Sequence, residues 1–291
     1  MYISGFSFVR NAVKFDYPVV ESIKSILPIC DEFVIAVGNS NDGTRQLIES
    51  INDNRIKIID TIWDDSIREG GKVLAVETNK AYDAVNPKSD WAFYIQADEV
   101  VHEKYHDIIY DNLKSNLYEV NLDGFLFNYK HFYGSYDYVG ESLRWYRNEI
   151  RIVKNNKNIY SYRDAQGFRK DNNKKLLVKK INAEIYHYGW VKHPKYQQAK
   201  QETFNKLWHD DNWVNKNVLK SEEFDYSNID SLELFSDIHP KVMLDRIQNK
   251  NWQFEHNLSF RKYSPKERFK RFLEKLVGYR MGEYKNYILL K

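Results

Sequence analysis

The sequence predicts an α/β fold: a mostly parallel central sheet flanked by helices, with a helical C-terminal extension. Three observations lead there. Apolar, β-branched runs alternate with helix-period segments through residues 1–100. Two polar turn clusters, 38–44 and 96–99, fall where the strands of such a sheet would end, and ligands of parallel sheets bind beyond those ends. From Pro194 onward the pattern becomes helical and charged.

Tyr2 to Val9 is a first short apolar strand. Tyr17 to Leu27 carries apolar residues at 19, 20, 23, 26 and 27, a helical period that Pro28 ends. Glu32 to Val37 is β-branched and reads as a strand. Asn39-Ser-Asn-Asp-Gly-Thr44 is a turn that opens a helix with Leu47, Ile48 and Ile51 on one face. Arg55 to Ile59 is the next strand, Lys72 to Val85 a helix, and Trp91 to Ile95 a buried strand. Residues 104–115 form one more helix. Residues 124–190 hold short aromatic strands between polar loops: Gly124–Tyr129, Ile150–Val153 and Ala183–Tyr188. In the C-terminal part, Trp208, Trp213 and Trp252 are the expected packing anchors. The simplest division is a catalytic domain over 1–193 and a helical extension over 194–291.

Composition removes several function classes. A chain of 291 residues with 42% apolar content can bury a sizeable core. No apolar run reaches the length that spans a bilayer. The net charge of +3 does not fit a nucleic-acid binder. Cys30 is the only cysteine, so neither an internal disulfide nor a Cys-rich zinc site can form. The opening MYISGFSFVR has no basic segment followed by a long apolar stretch. A cytoplasmic location is the default expectation.

The stretch Asp90-Trp-Ala-Phe-Tyr-Ile-Gln-Ala-Asp-Glu-Val-Val-His102 ends a strand in a carboxylate cluster, Asp98 and Glu99. Carboxylates at a strand's carboxyl end can bring a divalent cation and a phosphorylated ligand together. Asp98 reads either as a metal ligand or as the N-cap of a following helix. Glu99 reads as a second ligand or as a solvated cap.

Several segments, in order, resemble family-2 glycosyltransferases. They are Phe8-Val9-Arg10-Asn11, the strand 32–37, Ser40-x-Asp42-Gly43-Thr44, Asn79, Gln96-Ala-Asp-Glu99, Asp123-Gly124-Phe125, Arg151, the loop 160–168 and His187-Tyr188. The likeness covers roughly residues 1–195 and is closest to bacterial members that build surface glycans. It implies a GT-A fold, Rossmann-like. It also implies a nucleotide-sugar donor, a glycan or lipid-linked acceptor, and a divalent metal, Mn²⁺ or Mg²⁺, held by Asp98 with His187. Without it, His187 reads equally as a half-buried imidazole bonded to backbone.

The resemblance further implies an inverting reaction with Asp164 as base and Glu149 in reserve. On its own residues, Asp164 in Asp-Ala-Gln-Gly reads equally as a turn residue. Phe8, Arg10, Asn39, Lys72, Asn79, Gln96 and Arg151 are the expected substrate-binding residues. Arg10, Lys72 and Asn79 read otherwise as surface residues, Phe8 as core, and Arg151 as an ion-pair partner. Two departures stand out. Gln96 replaces the usual first Asp of Asp-x-Asp, and no carboxylate precedes Asp42 to contact the base. These departures keep two other readings open: a non-catalytic carbohydrate- or nucleotide-binding protein on the same fold, and a sugar nucleotidyltransferase.

Residues 261–291 carry ten bases against three acids, with Phe269, Phe272, Leu273, Leu276 and Val277 at helical spacing after Ser264-Pro265. Such a helix can lie on an anionic membrane, or its apolar face can pack on the domain.

Overall fold

Four parallel strands form the N-terminal half of a thirteen-stranded sheet in a computed structural model describing residues 1–277, 280 and 282–290. Lys291 and the side chain of Lys275, two of the tail's bases, lie outside what is described. Strands β1 (Ile3–Val9), β2 (Glu32–Gly38), β3 (Ile56–Thr61) and β4 (Trp91–Tyr94) run in the order β3-β2-β1-β4. Helices α1 (Val19–Ile26), α2 (Thr44–Glu49) and α3 (Lys72–Asp83) make the crossovers. The chain winds outward from β1 to β3, then returns to β4 on the other side of β1. A crevice therefore opens at the carboxyl ends of β1 and β4, where the strand order reverses.

Local chemistry fixes this half. α1 buries Val19, Ile23 and Ile26, and Leu27-Pro28-Ile29 closes it in a 3₁₀ turn. Gly43 takes φ 86° before α2, a conformation that a Cβ would strain. The Asp42 carboxylate accepts from the backbone N–H groups of Lys14 (2.7 Å) and Thr44 (3.1 Å). Ser40 Oγ accepts from the Asn11 N–H at 2.9 Å. The Ser-x-Asp-Gly-Thr turn thus braces the loop after β1.

The second half departs from the expected sheet. It contains β5 (Glu99–Val101), α4 (His106–Ser115), β6 (Gly124–Tyr133), β7 (Ser135–Gly140) and β8 (Asn148–Lys154). The hairpin β9 (Ile159–Tyr162) and β10 (Gly167–Lys170) and the long β11 (Lys174–Trp190) follow. Beyond β4 the order continues β8-β6-β11-β10-β9. There, β6 and β11 run parallel while β4–β8, β6–β8, β10–β11 and β9–β10 are antiparallel. The sheet is mixed, not mostly parallel. Strands joined by short turns, such as β9–β10 and β10–β11, can pair only antiparallel, and within residues 124–190 the parallel pair is β6 and β11, whose connection through β7–β10 is long enough to allow it.

Residues after 193 hold α5 (Pro194–Phe204), α6 (Asp211–Asn217), β12 (Leu232–Leu234), α7 (Leu244–Gln248), α8 (Pro265–Val277) and β13 (Tyr287–Leu289). This part is not purely helical. β12 pairs with β7, and β13 adds to β11 in parallel. One core layer packs Trp91, Phe93, Phe125, Phe127 and Ile152 with Ile23 and Ile26 of α1. The other packs Phe6, Tyr94 and Phe168 with Tyr82 of α3. No helix among the described residues is long and apolar enough to cross a membrane.

Candidate functional site

A cleft of about 590 Å³ occupies the crevice. Phe8 and Arg10 at the end of β1, and Gln96 and Asp98 after β4, line one side. His187 on β11, Asp164 from the β9–β10 loop, and Lys200 and Phe204 on α5 line the others.

Asp98 is placed by strand pairing. Immediately after it, β5 pairs with β11, setting Glu99 opposite His187. The Tyr188 N–H donates to the Asp98 carbonyl at 2.8 Å. A strand, not a helix, follows Asp98, so the N-cap alternative does not arise. Its Oδ2 accepts from Lys200 Nζ at 3.2 Å, and Lys200 also donates to the Gly189 carbonyl at 3.1 Å. Burial pushes the Asp98 pKa up, but Lys200, His187 and Lys192 outweigh burial and hold it at about 2. Burial also opposes the charge of Lys200. Tyr17 and Asp98 reverse that effect and raise its pKa, so the ammonium is retained.

The protonation of His187 follows from a chain of contacts. His131 Nε2 lies 2.7 Å from the Tyr146 carbonyl, which can only accept, so that nitrogen carries a proton. Burial holds the pKa of His131 well below the ordinary imidazole value and also lowers that of His187. His131 Nδ1 is then bare and accepts from His187 Nδ1–H at 3.0 Å. This leaves a lone pair on His187 Nε2, 3.8 Å from Asp98 Oδ1. Two electron-rich atoms thus face each other across a gap.

Gly189 keeps that gap open. A Cβ at this position would stand 2.7 Å from His187 Nε2 and 2.8 Å from Asp98 Oδ2. The pair fits a divalent cation of the Mn²⁺ or Mg²⁺ type, which takes carboxylate oxygen and, for Mn²⁺, imidazole. Among the described residues no group of three His, Cys, Asp or Glu converges anywhere. Phosphate oxygens and water would have to complete the shell, as is usual where a cation bridges protein and phosphates.

Asp164 sits in a tight hairpin loop flanked by Arg163 (φ 54°) and Ala165 (φ 61°), both left-handed without being glycine. Gln96 braces this loop: its amide nitrogen donates to the Ala165 carbonyl at 3.3 Å and to the Tyr94 hydroxyl at 3.1 Å. Asn79 clamps the preceding strand at both ends of its amide, to the Ser161 carbonyl (3.0 Å) and N–H (2.7 Å). Burial raises the Asp164 pKa.

Phe8 and Arg10 border the cleft around Trp63, with ring centroids 5.9 Å apart for Phe8 and the guanidinium 5.5 Å from the indole. Arg10 also pairs with Asp65 at 2.5 Å. Asn39 is exposed beside the cleft and accepts from the Trp63 N–H at 3.3 Å. Lys72 is exposed and pairs with Glu69 at 2.6 Å. Arg151 is fully buried and grips Glu99 with two bonds of 2.8 and 2.7 Å. Its guanidinium is committed to that pair. Glu149 is buried outside the cleft lining, and its Oε2 has no partner. Burial lifts its pKa to about 8, with Arg151 opposing and Glu99 and Asp164 adding to the rise, so it keeps its proton at neutral pH.

Sequence reasoning missed Lys200, Gly189, His131 and Trp63. Gly189 stands two residues after His187, and that adjacency was a usable signal. Lys200 and His131 carry none, since only the folded chain brings them to Asp98 and His187.

No family model and no curated protein matches the sequence. Among solved structures the chain is similar to TarS of S. aureus, at 11% identity over 76% of this chain and 41% of that one, TM-score 0.41. It is similar to glucosyl-3-phosphoglycerate synthase from Mycobacterium tuberculosis in complex with Mn²⁺, uridine diphosphate and phosphoglyceric acid, at 16% identity over 45% and 43%, TM-score 0.30. It is also similar to 4-diphosphocytidyl-2C-methyl-D-erythritol synthase from Anaerococcus prevotii, at 11% identity over 53% and 70%, TM-score 0.33. The chain spans about two fifths of the length of TarS.

Proposed function

We propose that this chain is a glycosyltransferase that moves a sugar from a nucleotide-sugar donor to a hydroxyl of a glycan or lipid-linked acceptor, with inversion. The observation that carries this reading is the convergence of Asp98 Oδ1 and His187 Nε2 on one gap, in the same cleft as the Asp164 carboxylate.

Lys200 and Arg10 supply positive charge for the donor's diphosphate. The Trp63 and Phe8 rings offer flat apolar surface to its base. Asp98 and His187 would hold a divalent cation, which stabilises charge on the departing nucleoside diphosphate. Asp164 accepts the proton of the acceptor hydroxyl as its oxygen bonds to the anomeric carbon. The bond from that carbon to the diphosphate oxygen breaks on the opposite face, and the electron pair leaves with the nucleoside diphosphate. The raised pKa of Asp164 makes it a better base than an ordinary surface carboxylate.

A panel of nucleotide sugars, with and without Mn²⁺, tests the reading through thermal stabilisation and release of nucleoside diphosphate. One donor should stabilise the protein and be hydrolysed slowly, and Asp98→Asn should remove the Mn²⁺ dependence. Binding of donor without any release would make the chain a binding protein. Release of pyrophosphate would make it a nucleotidyltransferase.

A further inference from the structure

Helix α8 is docked backwards. An amphipathic helix normally buries its apolar stripe on the domain and shows its charges to water. Here Phe269, Phe272, Leu276 and Val277 are 60%, 59%, 64% and 67% exposed. Spacings of three and four put Phe269, Phe272 and Leu276 on one side of the helix, and Glu267, Arg271 and Glu274 on the opposite side. The charged side faces the domain. Arg271 pairs with the Glu141 carboxylate and donates to its carbonyl at 2.8 Å. Glu274 accepts from Arg147 at 2.8 Å and from Arg280 at 3.1 Å. A reciprocal cap holds the start: the Ser264 N–H donates to Glu267 Oε2 at 2.8 Å and the Glu267 N–H to Ser264 Oγ at 3.2 Å.

The charge pattern selects what can cover the outward stripe. Lys266 and Arg268 are exposed and flank it on either side, where long cationic side chains can reach toward lipid headgroups. The three acids of residues 261–291 are already engaged: Glu274 and Glu283 on Arg147, and Glu267 in the cap. The outward face is thus apolar at its centre and basic at its rim.

We infer that α8 is an interfacial helix that seats this chain on an anionic lipid surface, with Phe269, Phe272 and Leu276 entering the headgroup boundary and Lys266 and Arg268 contacting lipid phosphates. The site of attachment is meaningful. Glu274 of α8 accepts from Arg147 at 2.8 Å, and the residue before Arg147, Tyr146, lines the cleft. A surface-bound α8 therefore holds the cleft beside the membrane, within reach of a lipid-linked acceptor. That last step rests on the glycosyltransferase reading; the membrane contact does not.

The test is co-sedimentation of the full chain with vesicles of phosphatidylcholine alone and of phosphatidylcholine mixed with phosphatidylglycerol. Binding should require the anionic lipid and weaken with salt, because the attraction decays over about 8 Å at physiological ionic strength. Phe269→Ser/Phe272→Ser/Leu276→Ser should abolish it. Lys266→Glu/Arg268→Glu should weaken it at least about tenfold. Both variants change exposed side chains, so circular dichroism should show an unchanged fold. If the full chain ignores anionic vesicles at low salt, the inference fails. It also fails if the triple-serine variant converts a dimer into a monomer without affecting vesicle binding, since a second copy then covers the stripe. Donor hydrolysis in solution should persist in both variants; its absence from the parent protein would sink the enzymatic reading and leave the membrane result standing.

Discussion

His131 and His187 share one proton across a 3.0 Å contact between their Nδ1 atoms. The Tyr146 carbonyl decides which ring owns it, because it obliges His131 to keep its other proton on Nε2. His131 is thus a positioning residue: it turns the lone pair of His187 Nε2 toward Asp98. Orienting partners of this kind are worth about 10–100-fold in metal affinity. His131→Leu should lower Mn²⁺ affinity by about that factor, read by titration calorimetry. His131→Gln keeps one donor and one acceptor and should recover part of the loss. Nitrogen-15 shifts should place the His187 proton on Nδ1 in the parent; a proton on Nε2 would refute the relay.

Gly189→Ala tests the gap itself. The added Cβ would press on both His187 Nε2 and Asp98 Oδ2 at less than 3 Å. The backbone there needs no left-handed conformation, so the fold should survive. Mn²⁺ binding should fall at least tenfold, by analogy with the loss of an orienting partner, although no charge has changed. Unaltered Mn²⁺ binding would show that the cation sits elsewhere.

Asp164→Asn should cut turnover by about 10²–10⁴-fold while donor affinity stays near that of the parent. The pH profile carries a second signature. A base must be deprotonated to act, so turnover falls as pH drops through its pKa. Burial raises its pKa and so shifts that acid limb upward from where an ordinary Asp would put it. In the Asn variant the limb should disappear. A loss confined to donor affinity would reassign Asp164 to binding.

Arg151 and Glu99 are both fully buried. Arg151→Met should therefore destabilise the protein by about 3–5 kcal/mol, since it leaves a carboxylate buried without its cation. Glu99→Gln/Arg151→Met should cost less than the sum of the single changes. Urea unfolding of the three variants gives the comparison.

The parallel half of the fold was legible because each element carries its own signal. The run Glu32–Val37 is rich in β-branched residues, Val34, Ile35 and Val37, and α1 repeats its apolar residues at helical spacing up to Pro28. The mixed half was not. β11 reads Lys-Lys-Leu-Leu-Val-Lys-Lys before its aromatic end, so its first half shows no clean alternation, and Tyr287–Leu289 is too short to read as a strand joining it. Asp98 and His187 each close a strand-like run, and the fold brings both to the cleft. For Arg151 the ion-pair alternative matches its contacts, but the partner, Glu99, lies fifty-two positions away, and sequence says nothing about which carboxylate that is. Asn79 and Gln96 proved to hold the Asp164 hairpin in place, a duty that only tertiary contacts reveal.

Strand β11 has a kinetic consequence. Its neighbours are β5, β6, β10 and β13, which span the chain from residue 99 to residue 289. Pairings between residues so distant in sequence are slow to form, because a large loop must close before any contact rewards it. The β1–β4 unit can pair without them. His187 cannot be fixed until its stretch of β11 finds both of its flanks, β5 at Glu99 and β6 at His131. In refolding, helical and sheet signals should therefore return before the power to bind a cation does. On the ribosome, the cleft would be completed only after β11 and α5, which carry His187 and Lys200, have emerged.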